Sequence, residues 1–175
     1  NVDGTIQWLY SKERAKDHHY SDPILEEKFV WFHLRSFPMI WQSLKDLENV
    51  KIGAIRGYTY TPEFYKAIED KKLKVIFVSR PKQVLDMMLI HRVRVYPELV
   101  DVGLYEIVNN YPTETVSLFT FNPKPFITAQ NHLLISKKRK DSFTLLSKFN
   151  QGLKKLKASG KFDQYLLESR QGQYK

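Results

Sequence analysis

The sequence contains no cysteine, and this absence limits the chemistry that the chain can perform. Without a thiol there is no disulfide framework, no thiolate zinc site and no cysteine nucleophile. The sequence also lacks any apolar run approaching the roughly 18 residues that a membrane-spanning helix needs. It begins without Met and without a charged and then apolar leader, so we expect a mature product or a fragment of a longer protein.

Glycine is missing where nucleotide-binding loops require it. The stretch 51–64, KIGAIRGYTYTPEF, predicts a strand, a turn at Gly57 and a helix opened by Thr61 and Pro62. A Walker loop needs two glycines framing a Lys-Ser or Lys-Thr pair, and a dinucleotide fingerprint needs three spaced glycines, so both are excluded. Two interpretations remain open: a plain connection with a helix cap, or backbone N–H groups and hydroxyls at 58–61 that hold a carboxylate.

Signatures of catalysis are also missing. The sequence contains no Gly-x-Ser-x-Gly motif and no paired metal signature, and the adjacent Glu26 and Glu27 point to opposite faces of an extended strand. His18 and His19 are neighbours whose imidazoles point in different directions, which disfavours a shared metal ion. We therefore predict a protein that is not an enzyme and that holds no metal and no cofactor.

Acidic residues are few in the last part of the chain. The net charge is +9, and residues 137–175 contain 11 Lys and Arg against 3 Asp and Glu. Such a segment could bind nucleic acid, an anionic membrane surface or an acidic partner. Its lysines lie mostly off the apolar stripe of the helix, which is also the pattern of an ordinary solvent-exposed helix face. We do not expect nucleic acid as a partner, and a nucleic-acid or regulatory effector domain is the alternative function.

The apolar residues that are present indicate alternating strands and helices. Strands are predicted at 5–10, 28–34, 50–55, 74–78, 93–96, 116–121 and 132–136. A long helix is predicted over 141–159, where one face is apolar and Gly160 ends it, and a short helix over 162–169 follows. The alternation over 50–96 predicts right-handed crossovers and a mainly parallel sheet.

Arg14 is the first candidate for ligand binding. It closely follows the first predicted strand, where ligand sites of α/β proteins lie. Its planar guanidinium suits a bidentate grip on a carboxylate. An ion pair with Asp17, three residues on, is the alternative role.

Several segments, taken in order, resemble the bacterial periplasmic solute-binding proteins of polar amino-acid ABC transporters. The segments are SKERAKDHHYSDPI (11–24), SLKDLENVKIGAIRGYTY (43–60), LDMMLIHRVRVYPE (85–98) and HLLISKKRKDSFTLLSKFNQGLKKLKASGKFDQYL (132–166). The resemblance covers nearly the whole chain, and the closing strand with its helix pair is the most specific part.

The resemblance implies an α/β fold of the type 2 periplasmic-binding kind. Two lobes would be joined by two extended crossovers and would close on a ligand by a hinge motion. Lobe 1 would contain residues 1–24 and 122–175, and lobe 2 residues 25–121. The opening β-α units that the family has in lobe 1 are absent from this sequence, so we expect lobe 1 to be partial or to be completed by another chain.

The resemblance also implies which residues bind the ligand. Arg14 falls on the family's arginine that binds the α-carboxylate of the ligand. Thr59 falls near the part of the second lobe that contacts the ligand. Glu98, after a shift of one residue, falls on the position of the family's aspartate that binds the α-amino group of the ligand. Trp8, Tyr58 and Tyr60 are expected to form apolar walls. Arg94 replaces an aspartate of the family pattern, so a bulkier, aromatic or anionic solute is as compatible as a standard α-amino acid.

The function implied is non-enzymatic binding of a small polar solute, amino-acid-like or carboxylate, for ABC-type transport or signalling. The expected partners are therefore that solute and a membrane permease or a sensor kinase. The expected location is the periplasm.

Overall fold

The computed structural model describes residues 4–171 and 173 of the chain, and for Gln7 it describes the backbone alone. The chain divides into two compact units: unit 1 contains Asn1–Glu27 and Ala129–Lys175, and unit 2 contains Lys28–Thr128. The lobe bounds expected from the sequence stay a prediction. In the described part, no helix is both long and apolar enough to cross a membrane.

Strands and helices alternate along most of the chain. The strands are β1 (Gly4–Leu9), β2 (His18–Tyr20), β3 (Leu25–Leu34), β4 (Lys51–Ile55), β5 (Lys74–Val78), β6 (Val95–Leu99), β7 (Phe119–Phe121) and β8 (Ile127–Ser136). The α-helices are α1 (Arg14–Asp17), α2 (Pro62–Glu69), α3 (Pro81–Leu89), α4 (Val100–Asn110), α5 (Thr113–Val116), α6 (Ser142–Ala158) and α7 (Lys161–Arg170), and a 3₁₀ helix covers Leu44–Leu47.

Unit 2 is built on a sheet in which β4 lies between two parallel neighbours. β4 pairs with β5 over its whole length and with β6 at Val95. Because parallel neighbours need a crossover, α2 connects β4 to β5 and α3 connects β5 to β6. β3 continues the sheet by pairing antiparallel with β6 and with β7. The strand and helix alternation predicted over 50–96, with its parallel strands, is therefore confirmed.

Apolar side chains of β3 pack on both faces of this sheet. Trp31 and Phe32 are consecutive and fully buried, and they belong to different apolar clusters because strand side chains alternate between faces. Phe32 packs in a cluster with Tyr96 and Met88, whereas Trp31 packs in a cluster with Phe64. A strand that is covered on both faces needs an uninterrupted apolar run, which β3 has from residue 29 to 32.

Helix α4 lies very close to β3, and the sequence did not predict it. A Cβ atom on Gly103 would lie 2.3 Å from Cζ of Phe32, so only glycine permits this approach. Glycine and the β-branched residues of α4 have low helix propensity, which hides the helix in the sequence. The predicted strand over 116–121 is wrong in its first half: Thr113–Val116 is helical behind Pro112, and the strand begins at Phe119.

Unit 1 contains β1 and β2, which both pair antiparallel with β8, and the two C-terminal helices. Leu153 of α6 and Leu134 of β8 are buried in this unit. Gly160 adopts a left-handed conformation (φ +73°) between α6 and α7, so the predicted helix end at this glycine is confirmed. Ile6 and Trp8 of β1 and Tyr10, one residue beyond the end of β1, are exposed.

Candidate ligand-binding site

The predicted turn after β4 is present in unit 2. Gly57 has φ +89°, a left-handed conformation that glycine adopts without strain. Thr61 caps α2, because its Oγ1 accepts a hydrogen bond of 3.2 Å from the backbone N–H of Phe64, and Pro62 occupies the first turn. Thr59 lies at the tip of this turn and is exposed.

Tyr65 of α2 holds the turn in shape. Its hydroxyl donates a 2.7 Å hydrogen bond to the Tyr58 carbonyl and accepts one of 3.3 Å from the Tyr60 N–H. The Tyr60 side chain is buried, and its hydroxyl accepts a 3.0 Å hydrogen bond from the Ile55 N–H at the end of β4. The Tyr58 N–H donates to the Ile55 carbonyl at 3.4 Å. The N–H groups of Tyr58 and Tyr60 are therefore used within the fold, and Thr59 is left as the exposed group of the turn.

We expect Tyr65→Phe to loosen this turn while the rest of the protein stays folded. The substitution removes a hydroxyl that forms hydrogen bonds with two backbone groups. Because the position is exposed, water replaces part of this hydrogen bonding. The free energy of unfolding should fall by about 1 kcal/mol, and the Tyr60 amide should exchange its hydrogen faster. Urea unfolding and hydrogen exchange measure the two effects.

Tyr165→Phe is the matched control, because Tyr165 is an exposed tyrosine of α7 in unit 1. It should leave both measurements near the wild-type values. Unchanged exchange of the Tyr60 amide in Tyr65→Phe would show that the turn does not depend on this hydroxyl.

Glu98 stands at the end of β6 and is completely enclosed, with 0% of its surface exposed. Its carboxylate accepts hydrogen bonds from the Tyr96 hydroxyl and, at 2.8 Å, from the Leu99 N–H. The Tyr58 side chain lies near enough to interact electrostatically with it. Burial raises the pKa of the Glu98 carboxyl above its ordinary value of 4.5, and the neighbouring Glu106 charge raises it further, although these hydrogen bonds oppose the rise.

The tyrosines around Glu98 respond to the same environment. Burial raises the pKa values of Tyr58, Tyr60 and Tyr96, and the Glu98 charge raises all three further. The Tyr58 and Tyr60 rings are 6.3 Å apart between centroids. The structure thus brings together three of the predicted residues, Tyr58, Tyr60 and Glu98. Because the Glu98 carboxylate is enclosed, we expect it to act on the turn through Tyr58.

In unit 1, Arg14 opens the short helix α1 and lies beside Trp8. Its Cζ is 4.8 Å from the centroid of the Trp8 ring, a cation–π distance. Its Nη2 donates to the Leu9 carbonyl at 3.0 Å, and its Nε donates to the Tyr20 hydroxyl at 3.4 Å. Within the described residues Arg14 forms no ion pair with Asp17, and its Nη1 makes no hydrogen bond.

Tyr20 positions this arginine, a role that the sequence did not indicate. Its hydroxyl accepts hydrogen bonds from the Ser11 N–H at 3.1 Å and from Arg14 Nε. Its ring lies 5.1 Å from the Tyr10 ring and 5.6 Å from the His132 ring. Tyr20 is fixed by the pairing of β2 with β8, which joins segments far apart in the sequence, so local pattern could not reveal its role.

The adjacent histidines have separate environments. His18 Nδ1 lies 3.3 Å from the Arg14 carbonyl, whereas the His19 ring lies 4.2 Å from the Phe143 ring. Among the residues that the structure describes, no three His, Asp or Glu side chains are grouped so that they could hold a metal ion.

Neither a protein-family model nor a curated protein sequence matches the chain. Solved structures do match. Substrate binding domain 2 of Lactococcus lactis GlnP, in its open conformation, matches 93% of this chain with a TM-score of 0.68 and 19% identity. A mutant of ArgBP from T. maritima matches 98% with a TM-score of 0.66 and 19% identity. The chain has the type 2 periplasmic-binding fold.

A third structure with this fold is a histidine kinase sensor domain with similarity to periplasmic binding proteins. It matches 99% of the chain with a TM-score of 0.64 and 18% identity. The chain covers 67% of the GlnP domain and 69% of each of the other two, so it spans about two thirds of their length. The α/β periplasmic-binding fold that the sequence motifs predicted is confirmed.

Proposed function

We propose that this protein binds a small polar solute, amino-acid-like or carboxylate, without catalysing a reaction on it. Proteins that share its fold include an ancestral arginine-binding protein bound to arginine and the same kind of protein bound to glutamine. The observation within the chain that carries the proposal is the Arg14 guanidinium. It has no acidic partner among the described residues, it is held in place by Leu9 and Tyr20, and its Nη1 is available for a carboxylate.

The residues proposed to bind the solute are among those that the sequence predicted. Arg14 of unit 1 receives the carboxylate, and Trp8 beside it provides an apolar wall. In unit 2 the exposed Thr59 offers its hydroxyl and N–H, and the half-buried Tyr58 provides the second wall. The predicted wall role of Tyr60 is wrong, because its side chain is buried in the core behind the turn. In this proposal the units close on the solute by a hinge motion, and Glu98 stays beneath Tyr58 as its support.

The solute serves either transport or signalling in this proposal. The arginine 3rd transport system periplasmic binding protein from Legionella pneumophila and the histidine kinase sensor domain show that one fold occurs in both settings. The partner is accordingly a membrane permease or a sensor kinase, and the location is the periplasm. Completion of lobe 1 by another chain stays a prediction.

A thermal-shift screen tests the proposal. Each probe is added separately: L-arginine, L-glutamine, L-glutamate, succinate and phenylacetate. A probe present at about 100 times its dissociation constant stabilises the folded state by about 2.7 kcal/mol, which raises the melting temperature by several degrees. We expect at least one carboxylate to do so, whereas the matching amide or alcohol should not.

Small-angle scattering then separates binding from closure. Hinge closure predicts a smaller radius of gyration with the stabilising probe. A probe that raises the melting temperature without this decrease would contradict closure and leave binding intact. If no carboxylate raises the melting temperature, the proposed function is wrong.

A further inference from the structure

The C-terminal segment that contains α6 and α7 carries more positive than negative charge, with Asp163 and Glu168 as the acids of α7. Residues 137–161 contain nine Lys and Arg and a single acidic residue, Asp141. That acid is already held by Arg139, whose Nε and Nη2 donate to its carboxylate at 2.5 and 3.1 Å. Asp141 also interacts electrostatically with Lys148, and the segment as a whole keeps an excess of positive charge.

Six lysines of this segment form what we name the basic face. They are exposed, and within the described residues they form no ion pair: Lys138, Lys140, Lys148, Lys154, Lys155 and Lys161. Lysines elsewhere in the chain do find acids, as Lys16 does with Glu13 at 2.7 Å and Lys82 with Asp86 at 2.9 Å. Leu153 of the same helix is buried, so α6 presents its lysines while its apolar stripe packs inside unit 1.

Apolar side chains are also exposed on these two helices, and they indicate the kind of partner. Phe143 is 69% exposed at the start of α6, and Tyr165 and Leu167 are exposed on α7. Lysines combined with exposed aromatic and aliphatic side chains on helices are typical of surfaces that lie at a lipid headgroup boundary. Lysine is also a point charge without the planar fork with which arginine recognises bases, so this composition favours a diffuse anionic surface over a nucleic acid.

We propose that the basic face binds the surface of an anionic lipid bilayer. The lysines supply the attraction to the headgroups, and Phe143 enters the boundary between headgroups and acyl chains. The protein then lies on the membrane in a preferred orientation. This interaction is independent of the solute proposed above, because no residue of the basic face belongs to the Arg14 group or to the turn after β4.

Vesicle co-sedimentation of the full chain tests the proposal. Wild type should sediment with phosphatidylglycerol vesicles and not with phosphatidylcholine vesicles, and raising the salt concentration should release it. The double variant Lys148→Gln and Lys154→Gln should bind phosphatidylglycerol about 30-fold more weakly. Phe143→Ser should weaken binding as well, because the apolar contribution is lost at unchanged charge.

The matched control is the double variant Lys66→Gln and Lys74→Gln, which removes two exposed lysines of unit 2. Its net charge equals that of the Lys148→Gln and Lys154→Gln variant. It should bind as wild type does, and circular dichroism should show that every variant is folded. Equal weakening by both pairs would overturn the proposal, since total charge would then decide binding. It would also be overturned if wild type showed no preference for phosphatidylglycerol, or bound a DNA duplex more tightly than these vesicles at equal salt.

Discussion

Replacing Glu98 with alanine is expected to lower the free energy of unfolding by about 4 kcal/mol. The side chain is fully buried, and its carboxylate accepts hydrogen bonds from the Tyr96 hydroxyl and the Leu99 N–H. Alanine removes the acceptor of both donors and leaves a cavity in the core. Urea unfolding of the full chain measures the loss.

Glu98→Gln separates the shape of this side chain from its charge. Glutamine keeps an acceptor oxygen for the Tyr96 hydroxyl and has the same size, so the loss of stability should be much smaller than for alanine. An equal loss in the two variants would show that the hydrogen bonds of the carboxylate do not stabilise the fold.

The raised pKa of Glu98 also predicts how stability depends on pH. In the unfolded chain this carboxyl loses its proton near the ordinary value of 4.5, whereas in the folded protein it keeps the proton to higher pH. Its contribution to stability is therefore complete below pH 4.5 and is lost as the pH rises through the folded-state pKa. Glu98→Gln should remove this decline, and Glu63→Gln, which changes an exposed acid of α2, should retain it.

Features that depend on neighbouring residues could be predicted from the sequence. Thr61 and Pro62 open α2, and Gly57 and Gly160 adopt left-handed conformations, because these effects arise within a few residues of backbone. The parallel pairing of β4 with β5 could also be predicted, since strand and helix alternate there.

Features that depend on distant pairing could not be predicted in this way. Tyr20 supports Arg14 only because β2 pairs with β8, and Gly103 permits α4 only because Phe32 lies beneath it. Glu98 is an intermediate case. Residues two apart on a strand share a face, so the order of Tyr96 and Glu98 in β6 indicates that the hydroxyl and the carboxylate meet, but not that they are fully buried.

Arg14→Ala is expected to weaken carboxylate binding by roughly 100-fold or more, measured with the probe that gives the largest shift in the thermal screen. A guanidinium that receives a carboxylate forms charge-assisted hydrogen bonds that alanine cannot replace. The side chain itself contributes little to folding, because it lies near the surface and bonds to one carbonyl and one hydroxyl. The free energy of unfolding without the probe should change by about 1 kcal/mol or less.

Two variants show whether the geometry of Arg14 or its charge is responsible. Arg14→Lys retains the charge but not the planar fork, so its affinity should lie between those of wild type and Arg14→Ala. Lys16→Ala removes an exposed cation from the same short helix, one that pairs with Glu13, and should bind the probe as wild type does. If Lys16→Ala weakened binding as much as Arg14→Ala, the net charge of α1 would be the cause. If Arg14→Ala bound every carboxylate as wild type does, Arg14 would be excluded as the carboxylate ligand, even if the fold still bound a solute elsewhere.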